Sequence, residues 1–216
     1  MNLSIQRFAK MKQVKIYVMS DPHYGHTNIC EKLSSWTIKA GTRDFDTVEQ
    51  MNDAIVKSIN DIVGPDDILV CVGDWSFGGI ENIYTFWSRL VCKNIYIIPG
   101  NHDHYIKKDK VLPNASCGEQ PSDLFIILPE LYKFKYGKET IIYCHYPLEQ
   151  WEGMDKGSIH IHGHTHHTLD NSETNKKYRR IDVGWTIEKP VYLLDDIILQ
   201  MKNRNIKEHY GNNIVL

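Results

Sequence analysis

One local pattern occurs five times in the sequence: a short apolar run, followed by a tight polar turn that carries histidine, aspartate or asparagine. The runs are rich in Val, Ile and Tyr and are bounded by Gly or Pro, which is typical of β-strands. In chain order they are VKIYVMS before Asp21, DILVCV before Asp74, NIYIIP before Asn101, TIIYC before His145 and SIHIH before His164. The pattern predicts a fold in which polar turns lie at the ends of strands.

Segments with helical periodicity alternate with these runs. The segment TVEQMNDAIVKSINDIV begins at Thr47, a typical N-cap residue, and its apolar side chains recur at helical spacing, at Met51, Ile55, Ile59 and Ile62. The segment NIYTFWSRL, residues 82–90, predicts a second helix. Alternating strands and helices predict an α/β fold with a partly parallel sheet, whose strands present their carboxyl ends at one edge. We therefore expect the five polar turns to converge.

The histidines indicate the chemistry of that edge. Of the 11 histidines, all except His209 lie in or beside the five stretches, and histidines without a common role would not cluster in this way. The run HIHGHTHH is internal and interrupted, which is unlike an affinity tag. Imidazole combined with carboxylate is typical of a transition-metal site. The candidate ligands exceed the four that one tetrahedral ion needs, so two ions sharing a bridging carboxylate are the simplest solution.

Composition excludes several classes of protein. The chain has a net charge of −2, which argues against extended nucleic acid as a partner, because such proteins need a basic face. The sequence contains no apolar stretch of membrane-spanning length and no signal-peptide pattern at its start. Its five scattered cysteines, without a C-x-x-C pair, are typical of a reducing compartment. We expect a cytoplasmic protein in which residues 1–216 form one domain, with residues 1–10 as a tail or short helix.

The polar turns resemble the motifs of a known family. In order, SDPHYGH, VGDWSF, IPGNHD, CHYPL and HGHTH resemble the D-x-H, G-D, G-N-H-D, H and G-H-x-H motifs of calcineurin-like metallophosphoesterases. The resemblance covers about residues 14–195. It implies an α/β fold, namely an αββα sandwich of two mixed β-sheets flanked by helices. It also implies metal-dependent hydrolysis of a phosphate ester.

The resemblance further implies a role for individual residues. One metal ion would be bound by Asp21, His23, Asp74 and His166, and the other by Asp74, Asn101, His145 and His164. His102 would act on the leaving oxygen as general acid or transition-state stabiliser, and Asp103 would orient its imidazole. The cofactor would be two divalent metal ions that hold the attacking hydroxide, with Mn²⁺ expected first and Fe, Zn, Ni or Co as alternatives.

Three further residues are candidates for substrate binding. His26 and Asn28 extend the first motif and could reach the phosphate or brace His23, although helix capping by Thr27 or Asn28 is an equally good interpretation. Arg43 could clamp phosphate through its guanidinium, although it could equally be a solvated loop residue. Aromatic residues near the site turns would suit stacking on a nucleobase, although each could instead pack in the core: Trp36, Trp75, Phe77, Tyr146, Trp151 and Trp185.

These features together predict an enzyme that hydrolyses a small phosphodiester, of nucleotide-derived type. A phosphomonoesterase of nucleotidase type is the first alternative. A nuclease of the same family is the second, and it predicts a basic flank that the sequence lacks. A non-catalytic scaffold predicts degraded motifs, whereas all five are intact. The expected partner is a small phosphate ester or nucleotide, with no membrane, and the sequence does not define an oligomeric state.

Overall fold

The computed structural model describes residues 14–39, 41–115, 118–204 and 206. The segment expected to be an N-terminal tail lies outside these residues. The strands are β1 (Ile16–Met19), β2 (Ile68–Cys71), β3 (Ile95–Ile97), β4 (Ile126–Ile127), β5 (Leu131–Tyr136), β6 (Glu139–Cys144), β7 (Ile159–His162), β8 (Arg180–Asp182) and β9 (Tyr192–Leu193). The helices are α1 (Val48–Asn60), α2 (Glu81–Arg89), α3 (His104–Lys107), α4 (Pro121–Leu124), α5 (Glu173–Lys177) and α6 (Leu194–Lys202), with 3₁₀ turns at Thr27–Ile29 and Met154–Lys156.

The strands form two mixed sheets. The first sheet has the order β4-β3-β2-β1-β9, in which β1 to β4 are parallel and β9 is antiparallel to β1. The second sheet has the order β5-β6-β7-β8, in which β6 to β8 are parallel and β5 is antiparallel to β6. Helices flank the sheets, which confirms the expected α/β architecture.

The central strand β1 shows why the apolar runs are continuous. Ile16 and Val18 face the core between the two sheets, whereas Tyr17 and Met19 face the helices on the other side. All four side chains are buried, because both faces of the strand are covered. The two faces alternate along the strand, so β1 connects the intersheet core to the helical layer.

Helix α1 follows its predicted pattern for most of its length. The Thr47 hydroxyl accepts a hydrogen bond from the Gln50 N–H at 3.2 Å, and the apolar side chains of Met51, Ile55 and Ile59 are fully buried. The prediction for Ile62 was wrong: this residue lies beyond the helix end and is 44% exposed. Among the described residues, we find no helix long and apolar enough to span a membrane.

The outer face of the second sheet carries a small apolar cluster. Ile142 of β6 packs there with Trp151 and Met154, next to a single 3₁₀ turn. Helix α6 contributes its buried side chains to the intersheet core. The carboxyl ends of the parallel strands are left to the connecting turns, which contain the candidate site.

Candidate metal centre

The five polar turns meet at one edge, where backbone hydrogen bonds join them. The Asp21 N–H donates to the Gly73 carbonyl at 3.0 Å, which joins the turns after β1 and β2. The Gly163 N–H donates to the His145 carbonyl at 3.1 Å, which joins the turns after β7 and β6. The His164 N–H donates to Asp21 Oδ2 at 2.9 Å and so crosses from one sheet to the other. The expected convergence is therefore present in the structure.

Asp21, His23 and His166 form the first group of possible ligands. The Nε2 atoms of His23 and His166 lie 3.2 Å apart, and each is 3.7 Å from Asp21 Oδ1. Metal–ligand bonds of about 2.0–2.2 Å separate the ligands of a tetrahedral ion by roughly 3.3–3.6 Å, so these spacings fit one cation. Asp21 Oδ1 is buried and has no hydrogen-bond partner among the described residues. A cation would satisfy this oxygen.

Asp74, His145 and His164 form the second group. His145 Nε2 lies 3.3 Å from Asp74 Oδ2 and 3.0 Å from Asn101 Oδ1. The other ring nitrogen of His145, Nδ1, lies 2.8 Å from the Val72 carbonyl and donates to it when protonated. That bond orients the ring, as is usual for histidine ligands. Burial alone would lower the pKa of His145, but the hydrogen bond and charge of Asp74 raise it to about 9, so a metal would replace the proton on Nε2. The residues of this group therefore fit a cation as well.

Asp74 lies between the two groups. Its Oδ2 atom is 3.6 Å from His23 Nε2 and 3.3 Å from His145 Nε2. Its Oδ1 atom accepts the backbone N–H of His102 at 2.9 Å, which fixes the direction of the carboxylate. One oxygen of Asp74 is thus within ligand spacing of both groups.

The ligand positions coincide with strained backbone. Seven non-glycine residues among those described have a positive φ, and five of them are candidate ligands: Asp21, His23, Asp74, His164 and His166. A non-glycine residue in this region costs about 1–3 kcal/mol and persists where the surroundings over-determine it. The surrounding hydrogen bonds therefore hold the turns against a local preference, as is common at functional sites.

Two glycines allow this close approach of the turns. Gly73 has a φ of 96°, and a Cβ added to it would overlap His145 Nδ1 and Gly100. A Cβ on Gly163 would overlap Ser20 Oγ and Asp21 Oδ2. A larger residue at either position would displace a ligand-bearing turn.

Burial and neighbouring charges set the protonation states of the site. Burial lowers the pKa of His23 well below its usual range, with a further contribution from His166, and lowers the pKa of His166 to about 4. Both rings are therefore neutral at pH 7, which is the state that binds a metal. Burial alone would raise the pKa of Asp74, but the hydrogen bond and charge of His145 lower it below its usual range. Asp74 is accordingly a carboxylate at neutral pH.

Asp103 does not have the predicted role. Its Oδ2 accepts the N–H groups of Asp74 at 2.7 Å and Gly100 at 2.8 Å, and its Oδ1 accepts the Trp75 N–H at 2.9 Å. Both oxygens of this buried carboxylate thus bind backbone, whereas we had expected a bond to the imidazole of His102. Asp103 is a positioning residue that ties the turn after β2 to the turn after β3.

Asp182 has the same function in the second sheet, and the sequence analysis missed it. Its Oδ2 accepts the Thr165 hydroxyl at 2.5 Å and the His167 N–H at 3.0 Å, and its Oδ1 accepts the Gly184 N–H at 2.8 Å. These bonds hold the turn that carries the candidate ligands His164 and His166. The available signal was an aspartate directly after the apolar end of a strand, in RIDVGW.

His102 lies beside both ligand groups and is open to the cleft. Its side chain is 39% exposed, and its Nε2 is 4.0 Å from Asp74 Oδ2. Its ring centroid is 5.5 Å from that of His23 and 5.0 Å from that of Phe77. The ring is therefore within reach of a molecule that contacts the ligands.

Arg43 lies beside the candidate ligand His166, and its guanidinium is bound to backbone carbonyls. Its NH2 and NH1 groups donate to the carbonyls of Asp21 at 2.5 Å and Pro22 at 2.7 Å, and its guanidinium stacks on the Trp185 ring at 4.7 Å. These contacts support a positioning role for the turn after β1, in contrast to the phosphate clamp proposed from the sequence.

His26 and Asn28 lie on the wall of the cleft next to the ligands. His26 itself caps the 3₁₀ turn, because its Nδ1 accepts the Ile29 N–H at 2.9 Å, so the expected caps Thr27 and Asn28 do not have this role. Asn28 Oδ1 accepts from the backbone and hydroxyl of Ser35 at 2.7 and 3.0 Å. Asn28 thus fixes the loop that follows the turn.

The chain is similar to several known proteins. The uncharacterised protein MJ1445 of Methanocaldococcus jannaschii is 27% identical over 195 residues, which cover 88% of this chain and 93% of that protein. The gene 66 protein of Mycobacterium phage L5 is 29% identical over 182 residues, which cover 76% of this chain and 83% of that protein. The crystal structure of AQ665 from Aquifex aeolicus, a protein of unknown function, has a TM-score of 0.61 at 16% identity, covering 87% of this chain and 99% of that one. This last likeness concerns the fold alone.

The model of the calcineurin-like phosphoesterase family matches residues 14–183, which include every ligand turn described above. The motifs that carried the resemblance in the sequence are the same residues that converge in the structure as possible metal ligands. The chain therefore belongs to the calcineurin-like phosphoesterase family, as a hydrolase with metal-binding residues.

Proposed function

We propose that this protein is a binuclear metal-dependent phosphodiesterase that hydrolyses a small, nucleotide-derived diester. The observation that carries the proposal is the position of Asp74 Oδ2, within 3.6 Å of a ligand nitrogen in each of the two groups. A carboxylate oxygen in that position suits a bridge between two cations. Mn²⁺ is the first candidate for both, because the ligand set mixes carboxylate, amide and imidazole.

The first cation would be bound by Asp21, His23, Asp74 and His166, and the second by Asp74, Asn101, His145 and His164. When bound, the two ions supply activation of the attacking water and neutralise charge on the phosphate oxygens. The protein would contribute donor atoms that lie 3.0–3.7 Å from one another, a spacing that suits ligands of one ion.

His102 supplies the proton for the leaving oxygen in this proposal. Its backbone N–H is fixed on Asp74 Oδ1 at 2.9 Å, while its ring is open to the cleft. An imidazole with that freedom can donate a proton as the ester bond breaks. Asp103 acts through the backbone of this turn and does not touch the imidazole.

His26 is placed to bind a phosphate oxygen. Burial lowers its pKa to about 4, so the ring is neutral at pH 7. Because Nδ1 accepts the Ile29 N–H, the proton of the neutral ring is on Nε2, which can donate to an oxygen in the cleft. Asn28 and Arg43 support the same region through the loop and backbone contacts already described.

Two cavities favour a diester over a monoester. One, of about 320 Å³, includes His102 and Phe77, and the other, of about 510 Å³, includes Phe45 and Trp185. His166 lines both, so the two cavities adjoin at this candidate ligand. Volumes of this size are typical of small-molecule sites, and a diester has two organic groups to place.

The test is hydrolysis by protein that has been stripped with chelator and reloaded with Mn²⁺. We expect turnover of bis-p-nitrophenyl phosphate, little turnover of p-nitrophenyl phosphate, and none of either by Asp74→Asn. A preference for the monoester would favour the phosphomonoesterase alternative. Two bound metals without turnover of either compound would contradict the proposal.

We also propose that the protein acts as one domain in the cytoplasm. In the part of the chain that the structure describes, Cys30, Cys71, Cys92 and Cys144 are buried free thiols, as expected in a reducing compartment. Fractionation of the native host with an antibody against the protein would test its location.

A further inference from the structure

The cleft beside the ligands has an aromatic side. The rings of His26, Trp36 and Phe77 line it together with the ligands and His102. We call these three residues the aromatic wall. Nothing in the hydrolysis of the phosphate itself requires Trp36 or Phe77, so their presence in the cleft needs another explanation.

Exposure separates Trp36 and Phe77 from the other tryptophans near the site, and Tyr146, which is 44% exposed, does not line this cleft. Trp36 is 40% exposed and Phe77 is 37% exposed, whereas Trp75, Trp151 and Trp185 are at most 7% exposed. Those three tryptophans pack in the core, as the alternative interpretation of the sequence allowed. An exposed apolar surface that borders a cleft is typical of a ligand-binding site.

The rings form a continuous surface that reaches the catalytic region. The Phe77 ring lies 5.0 Å from His102 and 3.9 Å from His26, and the His26 ring lies 5.9 Å from Trp36. His26 also lies 5.4 Å from the ligand His23. A molecule with its phosphate at the ligands can therefore extend along the wall without leaving the cleft.

The backbone around the wall is held in place. The Phe77 N–H donates to the Tyr24 carbonyl at 2.8 Å, and Asn82 Nδ2 donates to the Phe77 carbonyl at 2.7 Å. Asn28 binds Ser35 directly before Trp36 in the chain. Such fixed aromatic surfaces bind a planar group at low entropic cost, because few rotamers are lost.

We propose that the aromatic wall stacks on the nucleobase of the substrate and selects nucleotides over phosphate esters that lack a base. The inference rests on the proposed function and deepens it by assigning the base-binding side of the cleft. Trp36 and Phe77 determine specificity, and Asn28 is a positioning residue for the loop of Trp36. Base stacking tolerates every nucleobase, so the wall selects for a base without selecting strongly among bases.

The test compares two ligands that share a ribose 5′-phosphate and differ only in the base. Binding of AMP and of ribose 5-phosphate to the Mn²⁺-loaded protein is measured by calorimetry. We expect AMP to bind about 10-fold more tightly, within the range known for stacking of one base on an aromatic side chain. In Trp36→Leu and in Phe77→Leu, the ratio of the two dissociation constants should fall towards one.

Two further variants separate stacking from general disturbance of the fold. Trp36→Phe keeps an aromatic face and should retain most of the preference for AMP. Leu33→Ala alters a residue of the same loop that is 44% exposed and does not line the cleft, so it should bind both ligands as the wild type does. Equal binding of both ligands by the wild type, failure of AMP to bind at millimolar concentration, or an unchanged ratio in both leucine variants would overturn the inference.

The same preparation is assayed on bis-p-nitrophenyl phosphate, so that the two proposals fail separately. Hydrolysis without a preference for AMP would leave the phosphodiesterase proposal intact and refute the role of the wall. A preference for AMP without hydrolysis would refute the phosphodiesterase proposal and leave the wall as a base-binding site.

Discussion

The two sheets contribute different halves of the candidate metal centre. Turns of the first sheet supply the carboxylates, the amide and one imidazole, from Asp21, His23, Asp74 and Asn101. Turns of the second sheet supply imidazoles only, from His145, His164 and His166. Each ligand group combines residues of both sheets. Both candidate ligand groups therefore require the two sheets to be packed on their shared core.

In each half, a buried carboxylate holds the turns in place. Asp103 accepts three hydrogen bonds from backbone in the first sheet, and Asp182 accepts three from the turns of the second sheet. In both cases a buried carboxylate is satisfied by N–H or O–H donors, which fixes a turn that would otherwise relax. The positions of the candidate ligands therefore depend on Asp103 and Asp182, which are not among the proposed ligands.

The largest effect is expected from Asp74→Asn, because it removes the one oxygen that lies within ligand spacing of both ligand groups. An amide cannot bridge two cations as a carboxylate does. We expect kcat/KM on bis-p-nitrophenyl phosphate to fall by more than about 10³-fold, since a bound metal supplies several kcal/mol of transition-state stabilisation. Metal content should fall from two ions towards one or none, as measured by elemental analysis. Asp61→Asn, at an exposed aspartate, is the matched control; equal metal content in the two variants would argue against a bridge.

His102→Ala should separate catalysis from metal binding. Loss of a general acid lowers kcat by about 10²–10⁴-fold. The metal content should stay at the wild-type level, because His102 belongs to neither ligand group. His164→Ala removes an imidazole of the second sheet and should lose metal as well as activity. If both variants lost metal equally, the distinction between His102 and the ligands would be wrong.

Asp103→Asn and Asp182→Asn should each lower the affinity for Mn²⁺. The two reductions should be similar to each other, and their effects smaller than those of Asp74→Asn. The loss of a partner that orients a ligand costs about 10–100-fold in metal affinity. Titration with Mn²⁺ after removal of metal measures this directly. Asp170→Asn is the control in the second sheet, because Asp170 also contacts His167 but is half exposed. Wild-type affinity in Asp182→Asn would show that the turn after β7 holds its shape without this carboxylate.

The smallest predicted effect is on the free energy of unfolding, and it involves His160 of β7 in the second sheet. His160 is buried, with Nε2 accepting the Leu148 N–H at 3.0 Å, and burial lowers its pKa from 6.5 to about 3. Below pH 6.5 the unfolded chain takes up a proton at this residue that the folded protein does not, so stability falls as the pH decreases. The loss is about 1.4 kcal/mol per pH unit.

His160→Gln removes this titration while keeping a polar group. At pH 7.5 the variant should have a lower free energy of unfolding than the wild type. At pH 5 the difference in free energy of unfolding between the two proteins should be about 2 kcal/mol smaller than at pH 7.5. Urea unfolding at the two pH values measures the change. Protonation of the metal ligands is common to both proteins and cancels in the difference. A constant difference would mean that His160 titrates normally in the folded state.

Local signals in the sequence were sufficient for much of the fold. The continuous apolar run of β1 and the helical spacing of apolar residues in α1 each involve residues close together in the chain, so the sequence itself reveals them. Ile62 shows the limit, because the helical pattern continued past the residue where the helix ends. Helix ends depend on capping and on the following turn, and these are weaker signals.

The sequence by itself determined which residue types stand at strand ends, and so the ligand chemistry of the edge. Only the tertiary structure decided which partner each side chain meets. Asp103 bonds backbone 29 residues away in the chain, and Arg43 reaches a carbonyl 22 residues away. The aromatic wall was likewise identified only in the structure, which shows that Trp75, Trp151 and Trp185 are buried whereas Trp36 and Phe77 are exposed. Such contacts depend on distances between elements that are far apart in the chain, and no local periodicity encodes those distances.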